Sequence, residues 1–264
     1  MVGKTLAVED DTSRGVRIYL AGGIAVRGPN GATVGERAFA GRQGRRLFVR
    51  LAALHEPVST ADLADDLWGP EWPARWKVAL RALVSKLRTT LTRVDAAAAV
   101  DSADGTYALR LPAGAWLDVD AAAEAVHRAE TELATGDAAA AAASALIARS
   151  IASRSLLPGE EGEWLDILRA RLADVRLRAL ECLGAAWIAR GDAALAARDA
   201  AEAIRMDPFR ESAHRLLIRA HLAAGDRAAA ARAYEACRTL LRDELGVEPS
   251  EETVALATAA LRRG

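Results

Sequence analysis

Residues 74–93 read ARWKVALRALVSKLRTTLTR, and they have the clearest periodicity in the N-terminal half of the chain. Leu80, Val84, Leu87 and Leu91 recur at helical spacing, which places them in one apolar stripe. The same segment contains six basic residues and no acidic residue. The pattern predicts a helix over about residues 74–91 that buries one face and presents a positively charged face on the other side.

Strands are predicted before this helix. Hydrophobic residues alternate with other residues over 16–26, which is the period of a half-buried strand. The pair Asn30-Gly31 follows, and both residues tolerate the positive φ angles of a two-residue hairpin turn. We expect strands over residues 16–39.

Two shorter helices are predicted between these strands and residue 74. Leucines take helical spacing from Gly41 onward, which indicates a first helix. Ser59 or Thr60 is suited to cap a second helix, because a hydroxyl oxygen there accepts a hydrogen bond from a free backbone N–H group. Gly69 and the proline after it end that helix.

A hairpin is predicted after the third helix, over residues 99–111, with Asp104-Gly105 at its turn. The order of strands, three helices and a terminal hairpin is typical of a winged helix-turn-helix domain, in which the hairpin is the wing. We place this domain at residues 15–115.

The remainder, residues 116–264, is predicted to be all helical and repetitive. Gly-Asp pairs lie at 136–137, 191–192 and 225–226, each between two segments rich in Ala and Leu. The last two pairs are 34 residues apart, which is the period of tetratricopeptide repeats. In this register we expect Trp187 to pack near Ala196 and the helix that ends at Pro208, with Tyr234 filling the equivalent space one repeat later.

Composition excludes several classes of protein. The formal net charge is −1, so the chain as a whole has no general attraction to DNA or to a membrane. No stretch approaches the ~18–20 apolar residues that a membrane span needs. Residues 1–14 form a short polar tail, which we expect to be disordered and which lacks the apolar core of a signal peptide. We therefore expect a cytoplasmic protein.

No motif for catalysis or for a cofactor is present. The chain has no GxSxG, HExxH or GxxxxGK[ST] sequence. His214 and His221 lie seven residues apart, but no cysteine or carboxylate completes a metal site beside them. Cys182 and Cys237 lie among Ala and Leu, as small core residues do. We expect neither an enzyme nor a bound cofactor or metal.

A winged helix followed by helical repeats resembles one family, the bacterial transcriptional activators of the antibiotic regulatory protein type. Its turn unit and recognition helix are similar to ADLADDLWG (61–69) and ALRALVSKLRTTL (79–91), and its wing to DGTYALRLP (104–112). Its domain junction is similar to WLDVDAAAEAV (116–126), and its activation domain to LLPGEEGEWLDILRARLADVRLRALECL (156–183). The C-terminal signature is similar to DPFRESAHRLLIRAHLAAGDRAAAARAYEACRTLLRDELGVEPSEET (207–253).

The resemblance implies a mainly α fold, with an N-terminal α+β winged helix and an all-α, tetratricopeptide-like activation domain over 116–264. It also implies a regulator that binds tandem repeats in promoter DNA, where two copies would form a homodimer, and that helps RNA polymerase bind.

The expected DNA contacts come from three elements. The third helix supplies small residues at the centre of its outer arc and basic residues around them, which can reach base edges or phosphates. The first helix and the wing would add contacts to the neighbouring backbone. The expected DNA-binding residues are Arg75, Lys77, Arg81, Ser85, Lys86, Arg88, Thr89, Arg45, Arg46 and Thr106.

Two features depart from the family pattern and leave alternatives open. Asp101 and Asp104 near the tip of the wing would repel phosphate. Trp72 and Trp76 make the loop before the third helix bulky, and they either pack on the domain or contact another protein. The alternative function is a repeat-based interaction module, with a protein or small molecule in the groove of the repeats and a winged helix that no longer binds DNA.

Overall fold

The computed structural model describes residues 15–95 and 97–262, so the expected tail at 1–14 lies outside the described part of the chain. The chain divides into two compact units. The first contains residues 15–120 together with Arg154–Ala170, and the second contains Ala121–Ser153 together with residues 171–262.

A small four-stranded sheet opens the first unit, as the alternating pattern predicted. Its strands are β1 (Arg17–Tyr19), β2 (Ala25–Arg27), β3 (Thr33–Gly35) and β7 (Trp116–Leu117), in the order β3-β2-β1-β7. The β2-β3 hairpin turns at Asn30-Gly31, where Gly31 has a φ of 81°. Strand β7 pairs in parallel with β1 and returns the chain to the sheet after the wing.

The three predicted helices follow: α1 (Gly41–Leu54), α2 (Thr60–Trp68) and α3 (Trp76–Thr92). Ser59 caps α2, because its hydroxyl oxygen accepts a hydrogen bond from the Asp62 amide at 3.1 Å. Every leucine and valine of the predicted α3 stripe is buried, at 3% exposure or less. These residues pack α3 against α1 and α2, and the opposite face of α3 is exposed.

A three-stranded sheet forms the wing. It contains β4 (Val58–Ser59), β5 (Ala99–Ala103) and β6 (Thr106–Arg110), in the order β4-β6-β5. Asp104 and Gly105 form the turn with positive φ angles of 47° and 76°. The backbone amide of Thr60 donates to the Gly105 carbonyl at 2.9 Å, which fixes the wing tip to the start of α2. The fold of this unit is a winged helix-turn-helix.

One segment of the first unit differs from the predicted boundary. Residues 154–170 were expected to belong to the repeat domain, but they pack with the winged helix. Ala21 forms an isolated β-bridge with Leu156, and the Gly22 amide donates to the Ser155 carbonyl at 2.9 Å. The carboxylate of Glu160 accepts hydrogen bonds from Arg42 and Arg46 on α1. Such contacts between distant parts of the chain have no local pattern in the sequence.

The second unit is built from helices that run in pairs. They are α4 (Asp118–Ala134), α5 (Ala138–Ala152), α6 (Glu163–Ala189), α7 (Ala193–Met206), α8 (Glu211–Ala223), α9 (Arg227–Leu240) and α10 (Glu251–Arg262). The first residues of α4 and α6 belong to the first unit. The fold class, a winged helix followed by tetratricopeptide-like repeats, is confirmed.

The Gly-Asp pairs act as the repeat register predicted. Gly136, Gly191 and Gly225 have φ angles of 85°, 85° and 77° between consecutive helices. Asp137 and Asp226 then cap the next helix, because their carboxylates accept hydrogen bonds from backbone amides three residues on, at 2.9 and 2.8 Å. Asp192 lies at the same position before α7 but makes no side-chain cap hydrogen bond, so all three glycines follow the end of a helix and two of the three aspartates cap the next one.

The packing of the two repeat aromatics differs in part from the prediction. The Trp187 ring packs on a cluster formed by α4, α5 and α6, which includes Ala129 and Ala145 and was not part of the prediction. Its indole N–H reaches α7, the helix before Pro208, as the register predicted, and donates to Asp199 at 3.0 Å.

Tyr234 packs with Ile218, Ala233 and Leu256, between α8, α9 and α10. The two aromatics therefore fill different spaces, because Trp187 lies on the first helix of its pair and Tyr234 on the second. Both cysteines are buried as expected, and burial raises the thiol pKa of Cys182 to about 12 and of Cys237 to about 11.

Candidate nucleic-acid interface

The outward face of α3 has a centre of small residues. Val78, Ala82, Ser85 and Thr89 follow one another at helical spacing, opposite the buried stripe, and all four are exposed. The hydroxyl of Thr89 donates to the Ser85 carbonyl at 3.1 Å. Short side chains along this row allow the helix backbone to approach a surface closely.

Basic residues border this row on both sides. Helical periodicity places Lys77, Arg81 and Arg88 on one flank, and Arg75 and Lys86 on the other. All five are exposed, and the whole of α3 contains no acidic residue. The structure therefore presents a helix face with charge of one sign on either side of a shallow, uncharged strip.

The wing lies beside the flank of α3 that contains Lys77, Arg81 and Arg88. A cavity of about 350 Å³ separates the start of α3 from the wing tip, and Lys77 and Arg81 line it together with Asp104 and Thr106. The Thr106 hydroxyl donates to the Ala103 carbonyl at 2.7 Å, within the turn. Lys77, Arg81 and Thr106 therefore border one concave surface between α3 and the wing.

Two contacts at the wing could not be read from the sequence. The Nε of Arg88 donates to the Val100 carbonyl at 2.9 Å, so part of this guanidinium holds β5 against α3. Asp101 pairs with Arg110 at 2.9 Å, which raises the pKa of the guanidinium and offsets the negative charge of the wing. The acidic wing is therefore less repulsive to phosphate than its sequence suggested.

The expectation for Arg46 requires correction. This side chain is buried, at 5% exposure, and donates to the Asp66 carbonyl, the Glu160 carboxylate and the Glu161 carbonyl. A guanidinium held in this way joins parts of the domain and does not reach DNA. Arg45 remains partly exposed, with its side chain at 29%, and pairs with Glu36 at 3.1 Å.

The two tryptophans before α3 pack on each other. The Trp72 and Trp76 rings meet edge to face with centroids 4.7 Å apart, and the Trp72 indole N–H donates to Asp65 of α2 at 2.9 Å. Lys77 lies over the Trp76 ring, with its ammonium 5.3 Å from the centroid. The loop is thus ordered by local packing, although Trp72 is still 37% exposed.

Within 15–95 and 97–262, no cluster of His, Cys, Asp and Glu side chains is arranged to hold a metal ion. His214 is buried, and its Nε2 lies 2.8 Å from the Pro208 carbonyl oxygen. In those residues no helix has both the length and the apolar character that crossing a membrane requires.

Comparison with known proteins agrees with this architecture. The model of the bacterial transcriptional activator domain matches residues 117–261, which is more than half of the chain. The regulatory protein AfsR of Streptomyces coelicolor is 33% identical over 208 residues, covering 78% of this chain and 20% of that protein. AfsR of Streptomyces griseus is 29% identical over 221 residues, covering 83% of this chain and 22% of that protein.

A solved structure shares the fold. Mycobacterium tuberculosis EmbR, in complex with a low-affinity phosphopeptide, superposes with a TM-score of 0.74 at 23% identity. The match covers 94% of this chain and 65% of EmbR. The chain thus spans about a fifth of the curated relatives and about two thirds of this structural neighbour.

A winged helix joined to tetratricopeptide-like helices defines a class of bacterial transcriptional regulators. The chain belongs to the bacterial transcriptional activator domain family, among the regulators of the antibiotic regulatory protein type. This membership agrees with the sequence resemblance, and the family is one of regulatory proteins.

Proposed function

We propose that this chain binds double-stranded promoter DNA with α3 in the major groove and activates transcription there by engaging RNA polymerase. The observation that carries the proposal is the exposed face of α3, with small residues along its centre and basic residues on both flanks. A helix of this kind lies deeply in a major groove, where its flanks meet the phosphates of the two strands.

The net charge of the chain makes DNA binding depend on the basic face of α3. Because the net charge of the chain is −1, attraction to DNA must come from local clusters of positive charge. Lys77 and Arg81 beside the wing, and Arg75 and Lys86 on the opposite flank, provide such clusters. Arg45 on α1 and Thr106 on the wing lie in elements that would meet the adjoining backbone.

The proposed function also implies a location in the cell and binding partners. A promoter-binding regulator works where the chromosome is, so we propose a cytoplasmic location. The family membership suggests two partners. One is a second copy of the chain on a tandem DNA site, and the other is RNA polymerase. The number of copies on a duplex is measurable by native mass spectrometry of the complex.

A genomic selection tests the proposal. Sheared genomic fragments are incubated with the purified chain, and retained duplexes are sequenced and titrated at several salt concentrations. We expect duplexes with direct repeats, and an affinity that falls linearly as log Kd against log salt, because bound phosphates release their counterions. If no fragment is retained in a salt-dependent manner, the proposal is wrong.

A triple variant, Arg75→Ala, Arg81→Ala and Lys86→Ala, links binding to α3. Arg88 is left in place because it holds the wing. If each residue neutralises one phosphate, the salt slope falls by about 2–3. The matched control replaces Arg171, Arg190 and Arg232, three exposed arginines of the second unit, and changes the net charge equally.

Two outcomes would contradict the assignment to α3. Equal losses in the two triple variants would mean that only total charge matters. If the α3 variant still activates transcription, protein interaction is the whole function. That result would favour the alternative in which the winged helix no longer binds DNA.

A further inference from the structure

The most exposed large hydrophobic side chain in the described part of the chain belongs to the candidate DNA-binding face. Val78 is 61% exposed, above Leu245 at 52% and Ile147 at 50%. Valine is also a weak helix former, because its branched side chain loses rotamer freedom in a helix. Neither burial within the chain nor helix stability explains valine here.

The position of Val78 within α3 is informative. It is the third residue of the helix, and recognition helices contact base edges with their N-terminal residues. Ala82 follows one turn later on the same row and is also exposed. Together the two residues form an apolar strip without a hydrogen-bonding side chain.

The charges around this strip identify what it would contact. Lys77 and Arg81 lie on one side, and Arg75 lies on the other, so an apolar protein surface would have to desolvate several cations. A major groove instead offers phosphates to the flanks and base edges to the centre. Among those edges, the C5 methyl group of thymine is the apolar feature.

We propose that Val78, with Ala82 beside it, forms a subsite that reads the C5 methyl group of thymine in the DNA site. This inference rests on the proposed function and names the base that the centre of α3 prefers. Contact between the two hydrophobic groups removes both from water, whereas cytosine has only a hydrogen atom on C5 and offers Val78 no methyl group to contact. The DNA site therefore contains thymine opposite the first turn of α3.

Deoxyuracil substitution tests the subsite, because it removes the methyl group and keeps the base pair. The probe is the tightest duplex from the genomic selection, prepared with each thymine replaced in turn. The proteins are the full chain, Val78→Ala, and Val254→Ala as a control valine of 38% exposure on α10. Thermal unfolding of each variant checks that the fold is retained.

We expect one or two thymines at which deoxyuracil weakens binding by the full chain and by Val254→Ala about three- to fivefold, as for the loss of one buried methyl group. Val78→Ala should bind the thymine duplex about three- to fivefold more weakly than the unmodified chain does. This variant should no longer distinguish thymine from deoxyuracil at that position.

Two results would overturn the inference while leaving DNA binding intact. One is salt-dependent binding that no deoxyuracil position weakens. The other is a deoxyuracil effect of the same size in Val78→Ala and in the full chain. Failure to retain any duplex would instead refute the proposed function itself, and with it the subsite.

Discussion

Two consecutive arginines on α1 have different surroundings in the structure. Arg46 is buried and donates to groups from α2 and from residues 160–161, whereas Arg45 is partly exposed and pairs with Glu36. Consecutive helix positions point 100° apart, so one can face the interior while the other faces solvent. The role of each arginine follows from that difference.

Replacing Arg46 should unfold the winged helix, and replacing Arg45 should not. Arg46→Ala leaves a buried carboxylate short of a partner and two carbonyls without their donor, which typically costs about 3–5 kcal/mol of unfolding free energy. Arg45→Ala breaks only a partly exposed ion pair, worth ~0–1 kcal/mol. Urea unfolding compares the two variants, and equal stabilities would contradict the role assigned to Arg46.

Glu160 should make the first unit sensitive to acid. Burial tends to raise the pKa of its carboxyl, but hydrogen bonds from Arg42 and Arg46 outweigh this and lower the pKa below 4.5. A lowered folded pKa adds stability above the unfolded value, and that stability is lost as pH falls through the folded pKa. The contribution should be full at pH 7 and should be lost as the pH falls below 4.5 and through the folded pKa.

Glu160→Gln tests this, with the exposed Glu161→Gln as the matched control. Loss of hydrogen bonds to a charged group should destabilise Glu160→Gln by about 1.5–3 kcal/mol at pH 7, with a smaller difference from the native chain at pH 3.5. Chemical unfolding at both pH values measures this. A pH-independent difference would rule out the titration of Glu160 as its cause.

At the scale of elements, the repeat unit depends on close helix approach. Gly184 on α6 faces Leu216 on α8, and a Cβ atom at Gly184 would overlap the end of the Leu216 side chain. The two helices therefore meet where one of them has no side chain. The Leu216 side chain occupies the space that Gly184 leaves open.

Gly184→Ala should destabilise the second unit by about 1–3 kcal/mol, because a methyl group would overlap a buried leucine. This outweighs the higher helix propensity of alanine, ~1 kcal/mol. Leu216→Ala should also destabilise, but the double variant should lose less than the sum of the two, since the leucine no longer obstructs the methyl group. Strict additivity in thermal unfolding would show that the residues are not in contact.

At the scale of the whole molecule, each compact unit has its own buried core. Leu87 lies in the α1–α3 core of the first unit, at 3% exposure. Trp187 packs on the alanine-rich cluster of the second unit and donates to the fully buried Asp199. Damage to one core should therefore affect mainly the unit that contains it.

Trp187→Ala should expose amides of the second unit to hydrogen exchange, because truncation of a packed tryptophan costs about 3–5 kcal/mol. Leu87→Ala, at about 2–5 kcal/mol, should act on the first unit instead. Hydrogen exchange by mass spectrometry resolves the two. If either variant removes protection from both units alike, the units unfold as one and the two-core description fails.

The sequence by itself determined the order of elements and the class of protein. Period-two alternation, the α3 stripe, the glycine turns and the Gly-Asp spacing are local signals, since each depends on residues a few positions apart. They were sufficient for the winged helix, for the repeat register and for the basic face of α3.

Tertiary structure alone decided which charged residues are available and where the units divide. Arg46 reaches Glu160, 114 positions along the chain, and Arg88 reaches the wing, so neither role is visible in neighbouring residues. Trp187 packs on side chains of α4 and α5, which come from earlier in the chain than its own helix. Burial and pairing depend on contacts between distant segments, which local periodicity does not encode.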